Sequence, residues 1–114
     1  MTVFKLVDRA SWMATAPASS FVGSALDARD GFIHLSTAAQ LRETAARHFA
    51  GQPDLVLVAV DAAALGEALR WEPSRGGALF PHLYGPLPLR AVRWVSDLAL
   101  DEAGCHLFPN LGGS

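Results

Sequence analysis

Asp30-Gly31-Phe32-Ile33-His34-Leu35-Ser36-Thr37 (DGFIHLST) reads as a short strand that runs straight into a helix. Side chains alternate across a strand, so Ile33 and Leu35 share one face while Phe32, His34 and Ser36 share the other. One face suits a core, and the polar face carries a histidine and a hydroxyl where an ordinary strand spends apolar residues. Thr37 and Gln40 match a capping box, which starts a helix where the strand stops. Ala38, Leu41, Ala45 and Phe49 mark its apolar stripe, and Gly51 supplies the stop.

Outward from this stretch, Val3 to Val7 (VFKLV) reads as a first strand. Asp8 then caps a short helix, Ala10 to Ala16, which Pro17 ends. Ser19 to Arg29 shows no period and reads as loop. Leu55 to Val60 (LVLVAV) is an aliphatic run bounded by Asp54 and Asp61, the pattern of a strand buried on both faces at a sheet's centre. Asp61 caps a short helix, Ala62 to Ala68, that leads into Leu69 to Glu72. The glycines and prolines of SRGGALFPHLYGPLP break any helix and leave a loop, a short strand His82 to Tyr84 and a turn. Val92 to Leu100 is the last strand. The class is α+β, one small domain over residues 1–114 with a mixed, mostly antiparallel sheet and a weakly ordered tail from about 107 to 114.

A chain of 114 residues buries roughly 65% of its unfolded surface, enough to fold without staples. The formal charge of −2 gives no broad footprint for nucleic acid or acidic membrane, although a local arginine cluster can still receive a phosphate. The single cysteine, Cys105, makes no internal disulfide, which fits a reducing cytoplasm. The N-terminus mixes acids and bases, and no apolar run reaches the roughly 18 to 20 residues of a membrane span. The expected setting is cytoplasmic, with no membrane partner.

Phe80-Pro81-His82-Leu83-Tyr84 repeats the arrangement around His34: His82 and Tyr84 share a face, with Leu83 turned away. Between the two stretches, Arg70-Trp71-Glu72-Pro73-Ser74-Arg75-Gly76-Gly77 offers a carboxylate, an indole, two guanidinium groups and a glycine pair. These form the candidate site, with His34, Glu72 and His82 as catalytic residues and Ser36, Trp71, Arg75 and Tyr84 as binding residues. The bland reading is a set of histidines satisfied by their own neighbours, in which case replacing one lowers stability. His48, at a helix end, suits a dipole role, and His106 lies in the tail. No close ligand pair such as HxxxH or CxxC argues for metal, and neither Ser36 nor Ser74 sits in a GxSxG context. HLS also matches the HxS form of the two-histidine cyclic phosphodiesterases, in which paired histidines serve as acid and base. His34, Tyr84 and Glu72 alternatively suit an adenine nucleotide pocket, with NAD or a related phosphorylated ligand as occupant. In the loop Pro73 to Leu79, the glycine pair gives a hinge and Arg75 a phosphate clamp that gates the cleft.

GFIHLST, LRWEPSRGG and FPHLYGPLPLRAV, with the VFKL opening and Trp12, resemble the bacterial domain-of-unknown-function family 952 over Val3 to Leu100. The resemblance implies an ADP-ribosyltransferase-like fold, a split mixed sheet that holds NAD in a central cleft. His34 and Ser36 match the family's GFIHLS motif, Trp71 and Glu72 its WE pair, and His82 and Tyr84 its HLY motif. The resemblance implies a histidine in the first strand of many relatives, in an IYHI-type opening, where this chain has Lys5. The catalytic carboxylate role of Glu72 is an inference of this reading, since no spacing assigns it.

Overall fold

In the computed structural model, residues 1–14, 20–74 and 77–111 are described. The aliphatic run becomes β4 (Leu55–Asp61), the middle strand of an antiparallel sheet between β1 (Thr2–Asp8) and β8 (Val92–Leu98). Its two faces feed two separate cores. Val56, Val58 and Val60 join Val3, Val7, Phe21, Ile33, Leu35, Leu83 and Leu87, while Leu55, Leu57 and Ala59 join Phe4, Leu6, Leu41, Ala45 and Leu98. With Leu55 to Val60 each at most 2% exposed, the strand has no solvated face, as a continuous hydrophobic run requires.

A second antiparallel sheet has the order β3-β6-β5, from β3 (Ile33–His34), β6 (Leu79–Leu83) and β5 (Leu69–Pro73). A two-stranded pair joins β2 (Ser20–Phe21) with β7 (Leu87–Pro88). The two larger sheets meet where Phe4 and Ser36 exchange backbone hydrogen bonds of 2.8 Å in both directions. Every pairing among the described residues is antiparallel, which corrects the expectation of a mixed sheet.

Pro81 sets the length of β3. Leu35 donates its N–H to the Pro81 carbonyl at 3.0 Å, but proline has no N–H to return, and β3 ends at His34. The same alternation makes His34 and His82 a cross-strand pair without mutual backbone bonds, the kind whose Cα atoms approach to about 4.5 Å.

Among the described residues, three α-helices pack with the sheets. The first, α1 (Arg9–Met13), starts where Asp8 accepts from Ser11 N at 2.9 Å; of the residues expected to end it, Ala16 and Pro17 lie outside the described residues. The second, α2 (Ala25–Asp30), occupies the end of the stretch Ser19 to Arg29 expected to be loop and runs one residue past it. Ser24 and Asp27 form a reciprocal capping box at its start, and Gly31, at φ 86°, turns the chain out of it. The third, α3 (Leu41–His48), begins later than expected: Thr37 and Gln40 do exchange the two bonds of a capping box, but they close a turn that precedes the helix. Ala62–Ala68 is a 3₁₀ segment kinked at Gly66, and β6 starts at Leu79, three residues before the strand expected at His82. In the expected tail, Phe108 and Leu111 pack against the Leu55 side of the sheet, and Arg42 lies over the Phe108 ring.

Candidate functional site

β3 and β6 place His34 and His82 directly opposite each other, with ring centroids 5.8 Å apart and nearly edge to face. Phe32, two residues before His34, stacks on His82 at 4.1 Å and also meets the rings of His34 and Tyr84. The strand face singled out by the alternation is therefore a continuous set of four rings.

Each imidazole is held by its own carboxylate. His34 Nδ1 donates to Asp27 Oδ1 at 2.5 Å, and the backbone N–H of His34 donates to the same oxygen at 3.0 Å. The other oxygen of Asp27 accepts from Ser24 N at 2.9 Å and from Lys5 Nζ at 2.8 Å. Burial alone would push the Asp27 carboxyl up, but the His34 bond and the Lys5 charge outweigh it and hold the group well below the usual carboxylate range. Burial pulls Lys5 down from the ordinary lysine value, against the opposing pull of Asp27. The second ring nitrogen of His34, Nε2, meets Asp30 Oδ2 at 3.0 Å.

His82 donates from Nδ1 to Glu72 Oε1 at 2.8 Å, and Tyr84 donates its hydroxyl to the same oxygen at 2.7 Å. The Tyr84 and His82 bonds lower the Glu72 carboxyl, and the bond to Glu72 in turn raises the Tyr84 hydroxyl above the usual phenol value. Arg70 lies over the Tyr84 ring at 5.3 Å.

A cleft of about 600 Å³ opens beside this pair, its wall including Lys5, Arg29, Asp30, His34, Ser36 and His82. Glu72 and Tyr84 reach it only through His82. Ser36 is buried and shares its hydroxyl with Thr44 at 3.1 Å. Trp71 does not join them. The alternation of β5 turns it to the face opposite Glu72, 38% exposed, so its expected place in the cleft is corrected. Arg75 and Gly76 lie outside the described residues. His48, the last residue of α3, lies on the cleft wall, and His106 Nε2 bonds the Gln52 carbonyl at 2.8 Å.

Sequence reasoning missed Asp27, the buried hub of the site, and Phe32 as the ring between the histidines. Ser24-x-x-Asp27 is a capping-box spacing that would have revealed α2 and, with it, the acid. Among the described residues no group of three or more His, Cys, Asp or Glu is placed to hold a metal ion, and no helix is long and apolar enough to cross a membrane.

A domain of this architecture, with a carboxylate-backed histidine pair beside a cleft, has a family. Residues 6–95 match the family described as protein of unknown function (DUF952), and the chain belongs to it. The crystal structure of protein CC0527 from Caulobacter crescentus is 51% identical, covers 94% of both chains and superposes with a TM-score of 0.90. The solution NMR structure of CC0527 is 53% identical, covers 91% of this chain and 90% of that one, and gives a TM-score of 0.81. No curated protein matches.

Proposed function

We propose that the cleft binds a nucleotide, NAD or a related phosphorylated ligand, and that His34 and His82 supply the acid and base that act on it. The observation that supports this reading is the double pairing. Two imidazoles stand directly opposite each other with ring centroids 5.8 Å apart, each oriented by a separate carboxylate, at the wall of a cleft large enough for a small ligand. Packing alone asks for neither the pairing nor the two acids. A carboxylate on Nδ1 sets the angle of each ring; it leaves Nε2 of His82 to exchange a proton, while Nε2 of His34 meets Asp30.

An ADP-ribosyltransferase-like fold and reaction belong to this proposal. In that chemistry His34 bonds a ribose hydroxyl, and His82, held by Glu72, orients the attacking group. The second reading is the opening of a cyclic phosphate, with one imidazole as base and the other as acid, and it draws on the short distance between the two rings.

Isothermal titration with NAD, ADP-ribose and a 2′,3′-cyclic mononucleotide, with chromatography of each mixture afterwards, tests both readings. Binding is expected for at least one, with turnover lost in His34→Ala and in His82→Ala. Nicotinamide release identifies the transferase, and a linear monophosphate identifies the phosphodiesterase. No binding of any of the three, or turnover undiminished in both variants, overturns the proposal.

A further inference from the structure

Asp30 is the last residue of α2, and its carboxylate bridges a guanidinium and an imidazole on the cleft wall. Oδ1 accepts from Arg29 Nε at 3.2 Å, and Oδ2 meets His34 Nε2 at 3.0 Å. Helix stability does not explain an acid there, because the end of a helix is the negative pole of its dipole and favours a cation. Nor does α2 need this side chain to stop: Gly31 turns the chain at φ 86° and returns its N–H to the Asp27 carbonyl at 2.9 Å.

The other acids near the cleft already have partners. Asp27 is bound by Lys5, His34 and Ser24, and Asp8 caps α1. Glu72 holds His82 and Tyr84. Asp30, at 32% side-chain exposure, differs in having its two oxygens on an arginine and an imidazole that both face the cleft. A carboxylate presenting two oxygens to such a pair occupies the position that an oxyanion of a bound molecule would take.

We propose that Arg29 and His34 form the phosphate subsite of the cleft and that Asp30 is its built-in occupant, displaced when a phosphoryl group binds. This rests on the reading of the cleft as a site for phosphorylated ligands, and it assigns the end at which the phosphate enters. The exchange replaces one anion by another at the same donors, so Arg29 and His34 keep an anionic partner, and the partly exposed Asp30 carboxylate is released to water. Displacement also frees His34 Nε2 from a carboxylate and puts it against the phosphoryl oxygen, where a proton transfer would begin. An intramolecular occupant reduces the apparent affinity in proportion to the time the subsite is free of it.

The test titrates inorganic phosphate into wild type, Asp30→Asn and Asp30→Ala while the ring nitrogens of His34 are followed by NMR. Both variants are expected to bind phosphate about tenfold more tightly than wild type, as removal of a competitor occupying the subsite some nine-tenths of the time predicts. Their melting temperatures should match or exceed that of wild type. Adding Arg29→Gln to Asp30→Asn is expected to abolish the gain, and acetate is expected to bind more weakly than phosphate throughout. Unchanged or weaker phosphate binding in both variants overturns the inference, as does a gain that survives Arg29→Gln or acetate binding as tight as phosphate. Nucleotide binding by wild type without any gain for phosphate in the variants overturns this inference alone. A phosphate gain in a chain that binds no nucleotide leaves the subsite standing and removes the nucleotide reading.

Discussion

Lys5 Nζ lies 2.8 Å from Asp27 Oδ2, with both side chains sealed from water at 5% and 1% exposure. The pair joins the middle of β1 to α2 and, through the other oxygen of Asp27, reaches His34. Lys5 points to the Val3 and Val7 side of the strand, so a charge enters an apolar core and depends wholly on its partner. Position 5 supplies the cation that anchors the acid behind His34.

Removing one member of such a pair leaves the other charge buried and uncompensated. Lys5→Met is therefore expected to cost about 3 kcal/mol of folding stability, read from urea denaturation at pH 7. Adding Asp27→Leu to it should cost much less than the two single changes summed, because the double variant strands no charge. A Lys5→Met variant as stable as wild type would show that the pair contributes nothing.

The Asp27 carboxyl sits below its unfolded value, which fixes the direction of a pH effect. A group with a depressed folded value adds stability that is complete above its unfolded value of about 3.9 and is lost as the pH falls through the folded one. Wild type should lose stability steadily below about pH 4. Asp27→Asn should start lower at pH 7 and fall less steeply, with the remaining slope coming in part from Glu72, which is shifted in the same direction. Urea midpoints measured at intervals from pH 7 to pH 2 test this, and parallel curves for the two proteins would refute it.

Tyr84 is the chain's single tyrosine, so an alkaline absorbance titration reads it alone. Its hydroxyl donates to Glu72, and ionisation would lose that bond and place two negative groups side by side, which raises its value. In Glu72→Gln the titration is expected to move back toward the ordinary phenol value of about 10. An unmoved titration would mean that the Glu72 contact does not persist in solution.

What could be read from the sequence follows from strand geometry. The alternation around His34 and around His82 placed each on a polar face, and LVLVAV marked the central strand, because a period of two survives in short segments. The same alternation separates Trp71 from Glu72, so grouping both in one cleft disregarded a signal that was present. Asp27 was missed for another reason. Its capping-box spacing from Ser24 was legible, but a helix of six residues adds too little period to support that signal, and its partners Lys5 and His34 are supplied by tertiary contacts that no local pattern carries. The mixed sheet failed likewise, since strand direction depends on how distant segments pair.

Gly23 and Gly31 flank α2, and both hold positive φ, 105° and 86°, but a side chain would meet different surroundings at each. A Cβ at Gly31 meets nothing within 4 Å, so Gly31→Ala carries only the backbone strain, about 1 kcal/mol. A Cβ at Gly23 would fall 2.8 Å from the Cβ of Asp27, which is itself fixed by Lys5, His34 and Ser24 and has no room to retreat. Gly23→Ala should therefore cost more than Gly31→Ala in thermal melts. It should also displace Asp27 from His34, which NMR of the His34 ring nitrogens would register, while Gly31→Ala leaves that signal in place. Equal stability losses with an unmoved His34 signal in both variants would show that Asp27 can yield, and that the acid behind His34 is less rigidly held than its contacts indicate.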